Sequence, residues 1–537
     1  LIIVAGGYVY INFFQEDEAD EVCCAKHELT PPKVLTITES TPIPILDSSK
    51  ANQQITYNIL NQVQEGLMRL GPNDIPVPGL AESYQVSPDQ RTYTFTIRKN
   101  AVWSDGKAVT AHDFKFAWER ALSPANEYAF AYLFYPINNA EAYSLGKVKS
   151  DQVGITATDN RHLTIQLDKP DPNFLSLVTI TAFLPLRQDL VEKYGEYFGT
   201  SAETMSFTGP FKLKAFTPEK ALLEKNMSYW DQGKVNLKEA IINVEVDIDK
   251  SIQNYKSELT SLINVDSPKK ISKNNYGEFK KNPKAITDFL VFNHKSNFFA
   301  NSNIRKSILL AINKKSIVMS NGPTDAKDFI PPVIKSNKEV FRSGIDVSNQ
   351  VNRAKEFLEL GIKEVGLKEN KLLTIVTYND KPSIDLANQV KKILHDELGL
   401  NTVVRSYDSK RKKQVELSGD FDLSIFEWSA KYHEPLNFLT FMKSNETTNT
   451  SGFNSSHYDA LLSQAEMQSD GVKRTKLLND AEKYLIMDQI ALVPLIHINS
   501  YHLEKKYVKN ILFHPFRTEY TLKWATYQPP KKVEATK

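Results

Sequence analysis

At 537 residues the chain is too long for one hydrophobic core, and its length points to roughly two to four domains. With 41% hydrophobic and 10% aromatic residues the composition is ordinary for a soluble globular protein with large buried surfaces. A formal net charge of +2 gives no electrostatic case for nucleic acid, and short basic runs such as 410–413 and Lys280-Lys281 read as solvated faces.

The first 14 residues, LIIVAGGYVYINFF, are uncharged and mostly apolar, and an acidic run at 15–21 follows. The stretch is too short to span a bilayer alone, so it reads as a signal h-region or the end of an N-terminal membrane anchor whose upstream part is missing. Either way the folded body is expected outside the cytoplasm. The two cysteines, Cys23 and Cys24, are adjacent, which leaves no ordinary disulfide and no metal-ligand spacing. They are either lipidated or plain thiols in a linker.

Pro31-Pro32 ends that linker, and residues 34–38 read as a first strand. Over 55–68, Ile55, Ile59, Leu60, Val63 and Leu67 fall at helical spacing until Gly71-Pro72-Asn73-Asp74 breaks the run. After the turn Ser87-Pro88-Asp89, Tyr93, Phe95 and Ile97 alternate with Thr94, Thr96 and Arg98 as in a half-buried strand. A second turn, Ser104-Asp105-Gly106-Lys107, precedes a capping-box-like Thr110 and Asp113, with Phe114, Ala117, Trp118 and Ala121 on one helical face. Further helices carry Ile304, Ile308, Ala311 and Ile312; Leu386, Val390, Ile393 and Leu394, closed by Gly399; and Leu477, Leu478, Ala481, Tyr484 and Leu485. Strands are expected at 241–246, 372–377, 421–426 and 492–498, and a Pro- and Lys-rich tail from 528 reads as disordered. The fold class is α/β, without repeats.

The run 78–122, PGLAESYQVSPDQRTYTFTIRKNAVWSDGKAVTAHDFKFAWERAL, resembles the signature "GLAESW…WSDGxPVTAxDFxxxW" of substrate-binding protein family 5, the oligopeptide, dipeptide and nickel receptors of bacterial ABC importers. Thr208-Gly209-Pro210-Phe211-Lys212-Leu213 with Tyr229-Trp230-Asp231, the run 289–318, and the runs 428–441 and 452–462 are similar to the family's later motifs, in family order. The resemblance implies a bilobal, type II periplasmic-binding-protein-like fold with an extra inserted domain and two hinge crossings. Residues 1–33 would be the anchor or signal remnant and acidic linker. Residues 34–72, 208–285 and 496–528 would form domain I, 73–207 the insert, domain II, and 286–495 the mobile lobe, domain III, followed by a disordered tail at 529–537. It further implies a monomer, Gram-positive-like, held at the extracellular face of a bacterial membrane, which captures oligopeptides and delivers them to an ABC permease and ATPase complex. No cofactor, metal or nucleic acid is expected.

A receptor indifferent to side chains must pair with the main chain of its ligand, as neighbouring strands do. The resemblance places one such segment at Ile425-Phe426-Glu427-Trp428 and the facing one at Asn52, Gln53 and Gln54, after Leu46-Asp47. It sets Tyr128 beside the ligand, in a groove between lobes. Lys431 departs from the family: receptors that grip a free N-terminus commonly carry an aspartate there. A buried charge without its partner costs roughly 3 to 5 kcal/mol, so a free peptide amine is poorly held unless Glu427 or Glu434 neutralises Lys431. A blocked, acidic or displaced N-terminus fits better, as does Lys431 turned to solvent with affinity from backbone pairing. Catalysis has no support: Gly-x-Ser-x-Gly, His-Glu-x-x-His and phosphate-binding glycine loops are absent. A surface receptor that senses a signalling peptide without import, or one for a non-peptide ligand, would need the same closing cleft.

Overall fold

The computed structural model describes residues 32–265, 278–321, 324–337, 339–345, 350–366 and 371–529, without the side chains of 318–321. The N-terminal apolar stretch, the acidic run, Cys23 and Cys24, and the tail from 530 lie outside the described residues.

The strands that position the site are, in chain order, β1 (Leu35–Glu39), β2 (Ala81–Val86), β3 (Thr92–Ile97), β4 (Ile155–Ala157), β5 (His162–Gln166), β6 (Phe211–Thr217), β7 (Lys220–Lys225), β8 (Glu239–Val244), β9 (Leu262–Val265), β10 (Phe279–Phe292), β11 (Leu373–Tyr378), β12 (Thr402–Tyr407), β13 (Leu423–Ser429) and β14 (Leu492–Glu504). Ten of them form the main sheet in the order β12-β11-β13-β10-β14-β9-β1-β8-β7-β6, with the two-residue strand Thr324–Asp325 added on β14. A separate sheet, β2-β3-β5-β4, belongs to the insert. The molecule is α/β and bilobal, and among the described strands only β10 and β14 run from one lobe into the other.

These two long strands lose register where they cross. Between the pairs Pro283↔Asn499 and Thr287↔His497, β10 holds two more residues than β14. The bulged residues bond elsewhere: Ala285 N–H donates to Pro515 O at 2.9 Å, Ala285 O accepts from Ala430 N–H at 2.8 Å, and Lys284 Nζ donates to Phe516 O at 3.0 Å. A bulge bends and twists a ladder without cutting the chain, as a hinge requires.

Strand directions then place the cleft. β1, β8 and β9 are mutually parallel and run with β10 toward the crossing; β11, β12 and β13 run against β10, toward the crossing from the other side. The carboxyl ends of both strand sets therefore face each other, the usual location of a ligand crevice in an open α/β sheet.

Three main cores match three packing units. One gathers Leu35, Ile37, Ile59, Val63 and Phe211 around β1 and the helix α1 (Gln54–Val63). The second packs Phe95, Phe114, Trp118 and Phe183 in the insert, where α2 (Ala111–Leu122) buries the face expected from its sequence. The third holds Phe289, Ile375, Leu423, Phe441 and Leu492 between β10, β11, β13, β14 and the helices around them.

Three expectations change. Within the basic run 410–413, read as a solvated face, Lys412 is buried, its Nζ donating to Glu416 at 2.5 Å and to Ser424 Oγ at 2.9 Å. The helix over 55–68 stops at Val63, because Gln64 is extended (φ −122°, ψ 156°) and its side chain is used on Ser206 and Thr208. Leu67 thus leaves the helical face and packs in the insert's core instead. The first strand lies over Leu35–Glu39, buried at all five positions because strands flank it on both sides.

Candidate binding site

β13 carries the segment expected to pair with a ligand. Its inner edge is fully paired with β10, from Ile286↔Ser429 to Phe292↔Leu423. Its outer edge meets β11 only at Ile375↔Leu423 and Val376↔Ser424. Over residues 425–429 no strand among the described residues covers that edge, so its outward backbone groups are free to take an extended chain. The side chains are less available. Ile425 and Phe426 are buried, and Trp428 packs on Phe441 at 5.0 Å while its Nε1–H donates to Asn437 O. Trp428 is thus a packing residue whose backbone, not its indole N–H, lies at the open edge.

Beside Lys431, just past the end of β13, stands a ladder of rings from the insert. Tyr128, Phe130 and Tyr132 follow at two-residue spacing, with centroids 5.8 and 6.0 Å apart. Each rung meets another part of the chain. Tyr128 OH donates to Ala51 O at 3.4 Å, beside the exposed Asn52, Gln53 and Gln54. The Arg517 guanidinium lies 4.0 Å from the Phe130 centroid and donates from Nη1 to Tyr57 OH at 3.1 Å. Lys431 Nζ lies 4.4 Å from the Tyr132 centroid. Gln53 occupies the N-cap of α1, and Gln54 opens the helix, its amide donating to Arg517 O. Gln54 bonds Arg517 directly, Tyr128 and Lys431 stand on the ring row beside it, and Asn52 and Gln53 precede Gln54 in the chain as exposed residues, while Ile425, Phe426 and Trp428 pack on the core.

The charges are unevenly matched. Lys431 has no carboxylate partner among the described residues: Glu434 is taken by Arg474 at 3.0 Å and Asn173 at 2.6 Å, and Glu427 makes no ion pair with it. Burial first, and then the charge of Arg517, hold the Lys431 ammonium down to about 8. Glu427 keeps surface open to water, yet burial and then the nearby Asp380 push its carboxyl up, as on the wall of a groove. Across the ladder, Asp288 pairs with Glu427 in register and is pushed well up by burial and by Glu427; its Oδ1 is buried without a hydrogen-bond partner.

The lobes also touch beside this region. Asp74 accepts from His514 Nδ1 at 2.7 Å and lies 3.6 Å from His433 Nε2. Two cavities, of about 450 and 490 Å³, lie elsewhere, at the far side of the third unit beside Asp422 and beside His395. Among the described residues no cluster of three or more His, Cys, Asp or Glu could hold a metal, and no helix is long and apolar enough to cross a membrane.

Sequence reasoning missed Tyr57, Phe130, Tyr132 and Arg517. The alternation of Tyr128, Phe130 and Tyr132 is a visible signal; Arg517 has none, since only the fold brings it to α1 and the insert.

With an open strand edge at the mouth of a two-lobed cleft, the molecule has the architecture of a solute-binding protein. The model of the bacterial extracellular solute-binding proteins, family 5, matches residues 76–450, and the chain belongs to that family. It is 31% identical to the dipeptide-binding protein DppE of Bacillus subtilis over 92% of each chain, and 30% identical to the oligopeptide-binding protein OppA of the same organism over 86% of this chain and 87% of that one. Among solved structures, Listeria monocytogenes OppA bound to peptide superposes with a TM-score of 0.74 at 30% identity, covering 92% of this chain and 99% of that one. The pheromone receptor PrgZ gives 0.75 at 29%, covering 92% and 99%. The fold is the bilobal type II binding-protein fold with an inserted domain.

Proposed function

We propose that the protein captures oligopeptides between its lobes outside the cytoplasm and delivers them to the permease and ATPase of an ABC importer. The observation that carries this reading is the unpaired outer edge of residues 425–429, which offers main-chain hydrogen bonds to an extended ligand whatever its side chains. The names of the relatives support it. Residues 34–72, 208–285 and 496–528 would act as one lobe carrying the insert 73–207, and 286–495 as the lobe that swings. Asn52, Gln53, Gln54 and Tyr128 would line the groove, and residues 425–428 would supply the pairing strand. Lys431, unneutralised, disfavours a free amine at its position, so the N-terminus of the ligand would be blocked, acidic or displaced. The segment before residue 34 would tether the body to the membrane.

Mass spectrometry of the ligand that co-purifies from the native source tests this. A set of peptides is expected; a single non-peptide compound would overturn it. A second reading, a receptor for a signalling peptide, draws on the likeness to the pheromone receptor. One dominant peptide sequence in the same experiment would favour it.

A further inference from the structure

We propose that Lys431 and Arg517 together form an anion site that selects ligands carrying a carboxylate, supplied by a peptide C-terminus or an acidic side chain. The proposal deepens the peptide reading and rests on it for the ligand's identity. Its basis is two cations on neighbouring rungs of one aromatic ladder, Arg517 over Phe130 and Lys431 over Tyr132, contributed by different parts of the chain. Neither has a carboxylate within ion-pair distance among the described residues; Glu427 lies near enough for the Arg517 charge to act against the rise of its carboxyl, but makes no ion pair with it. Arg517 commits one side-chain hydrogen bond, to Tyr57, and the rest of its planar fork stays open to a ligand. Two unpaired like charges beside each other in a partly buried site repel, and a carboxylate between them removes that penalty. A guanidinium edge supplies directional, bidentate recognition of a carboxylate, and an ammonium supplies a compact charge beside it. The ring contacts hold both heads in place before a ligand arrives. Burial of the Lys431 stem and the field of Arg517, which depress its basicity, agree with an anion being the missing partner.

The test uses the ligand-stripped full chain. Its melting midpoint is followed in sodium succinate against sodium chloride of equal ionic strength, for wild type, Lys431→Met, Arg517→Met and Arg517→Lys, with circular dichroism to verify folding. Succinate should raise the wild-type midpoint by about 2 °C or more, the two Met variants should lose the rise, and Arg517→Lys, which keeps the charge, should retain part of it. In parallel, mixed peptide pools with free or amidated C-termini are captured and identified by mass spectrometry. Carboxylate-bearing peptides should be enriched about tenfold or more by wild type and not by the Met variants. Loss of enrichment on amidation assigns the carboxylate to the C-terminus, and persistence assigns it to Asp or Glu; both support the site. A succinate effect without any peptide capture would keep the anion site and overturn the peptide reading. Peptide capture with no succinate effect, or with enrichment equal in wild type and variants, would overturn the anion site alone.

Discussion

Lys431 holds its ammonium 4.4 Å from the centroid of the Tyr132 ring. The sign of that charge departs from the family motif, which is visible in the sequence; that no carboxylate among the described residues answers it is visible only in the fold, because Glu434 is drawn away to Arg474 and Asn173. Arg517, the group that shares its surroundings, left no sequence signal. A buried cation without a partner weakens the unliganded fold, so Lys431→Met should stabilise the empty protein by about 1 to 3 kcal/mol in urea unfolding. The pH dependence has a definite sign. Because the folded Lys431 titrates at about 8, below its unfolded value, its penalty is full below about pH 8 and is relieved as pH rises toward the ordinary lysine range. The stability gap between Lys431→Met and wild type should therefore narrow over that window, and a constant gap would show that burial of the ammonium is not its cause.

At the scale of elements, the motifs that made the fold legible turn out to be joints between packing units. Gly209 lets the chain entering β6 lie against the end of α1: a Cβ there would meet Val63 C at 2.5 Å and Gln64 N at 2.6 Å. Tyr229 OH donates to Glu65 at 2.7 Å, Trp230 lies under Arg98 at 3.6 Å, and Asp231 pairs with Lys523 at 2.8 Å. Gly209→Ala should cost about 2 to 3 kcal/mol in urea unfolding; an unchanged midpoint would mean that the backbone there moves aside. Alternation in β3 and the apolar face of α2 were readable because each buries one side only. The end of α1 was not, since apolar spacing continues to Leu67 while hydrogen bonds from Gln64 to the segment before Gly209 stop the helix. The candidate edge on β13 was proposed from the motif, but which of its side chains pack inward depends on Phe441, which no strand pattern connects to it.

For the whole molecule, the proposed function requires two lobes that turn about β10 and β14. Asp74 of the insert side reaches both His514 of one lobe and His433 of the other. Burial would raise its carboxyl, but the two imidazoles outweigh it and hold it at about 2. Its folded value lies below the unfolded one, so the contact contributes stability above about pH 4 that is lost as pH falls toward 2. Asp74→Asn should flatten the acid limb of thermal stability in that range, and an unchanged limb would show that Asp74 carries none of it. The bilobal plan was legible from motif order, whereas this three-way contact joins residues that no local pattern connects. The most direct measurement is a crystal structure of the protein loaded with a captured peptide. The peptide main chain should be hydrogen-bonded along residues 425–429, with the rings of Tyr128, Phe130 and Tyr132 across from it. A ligand bound away from that edge, or lobes unmoved relative to the stripped protein, would contradict capture by strand pairing in a closing cleft.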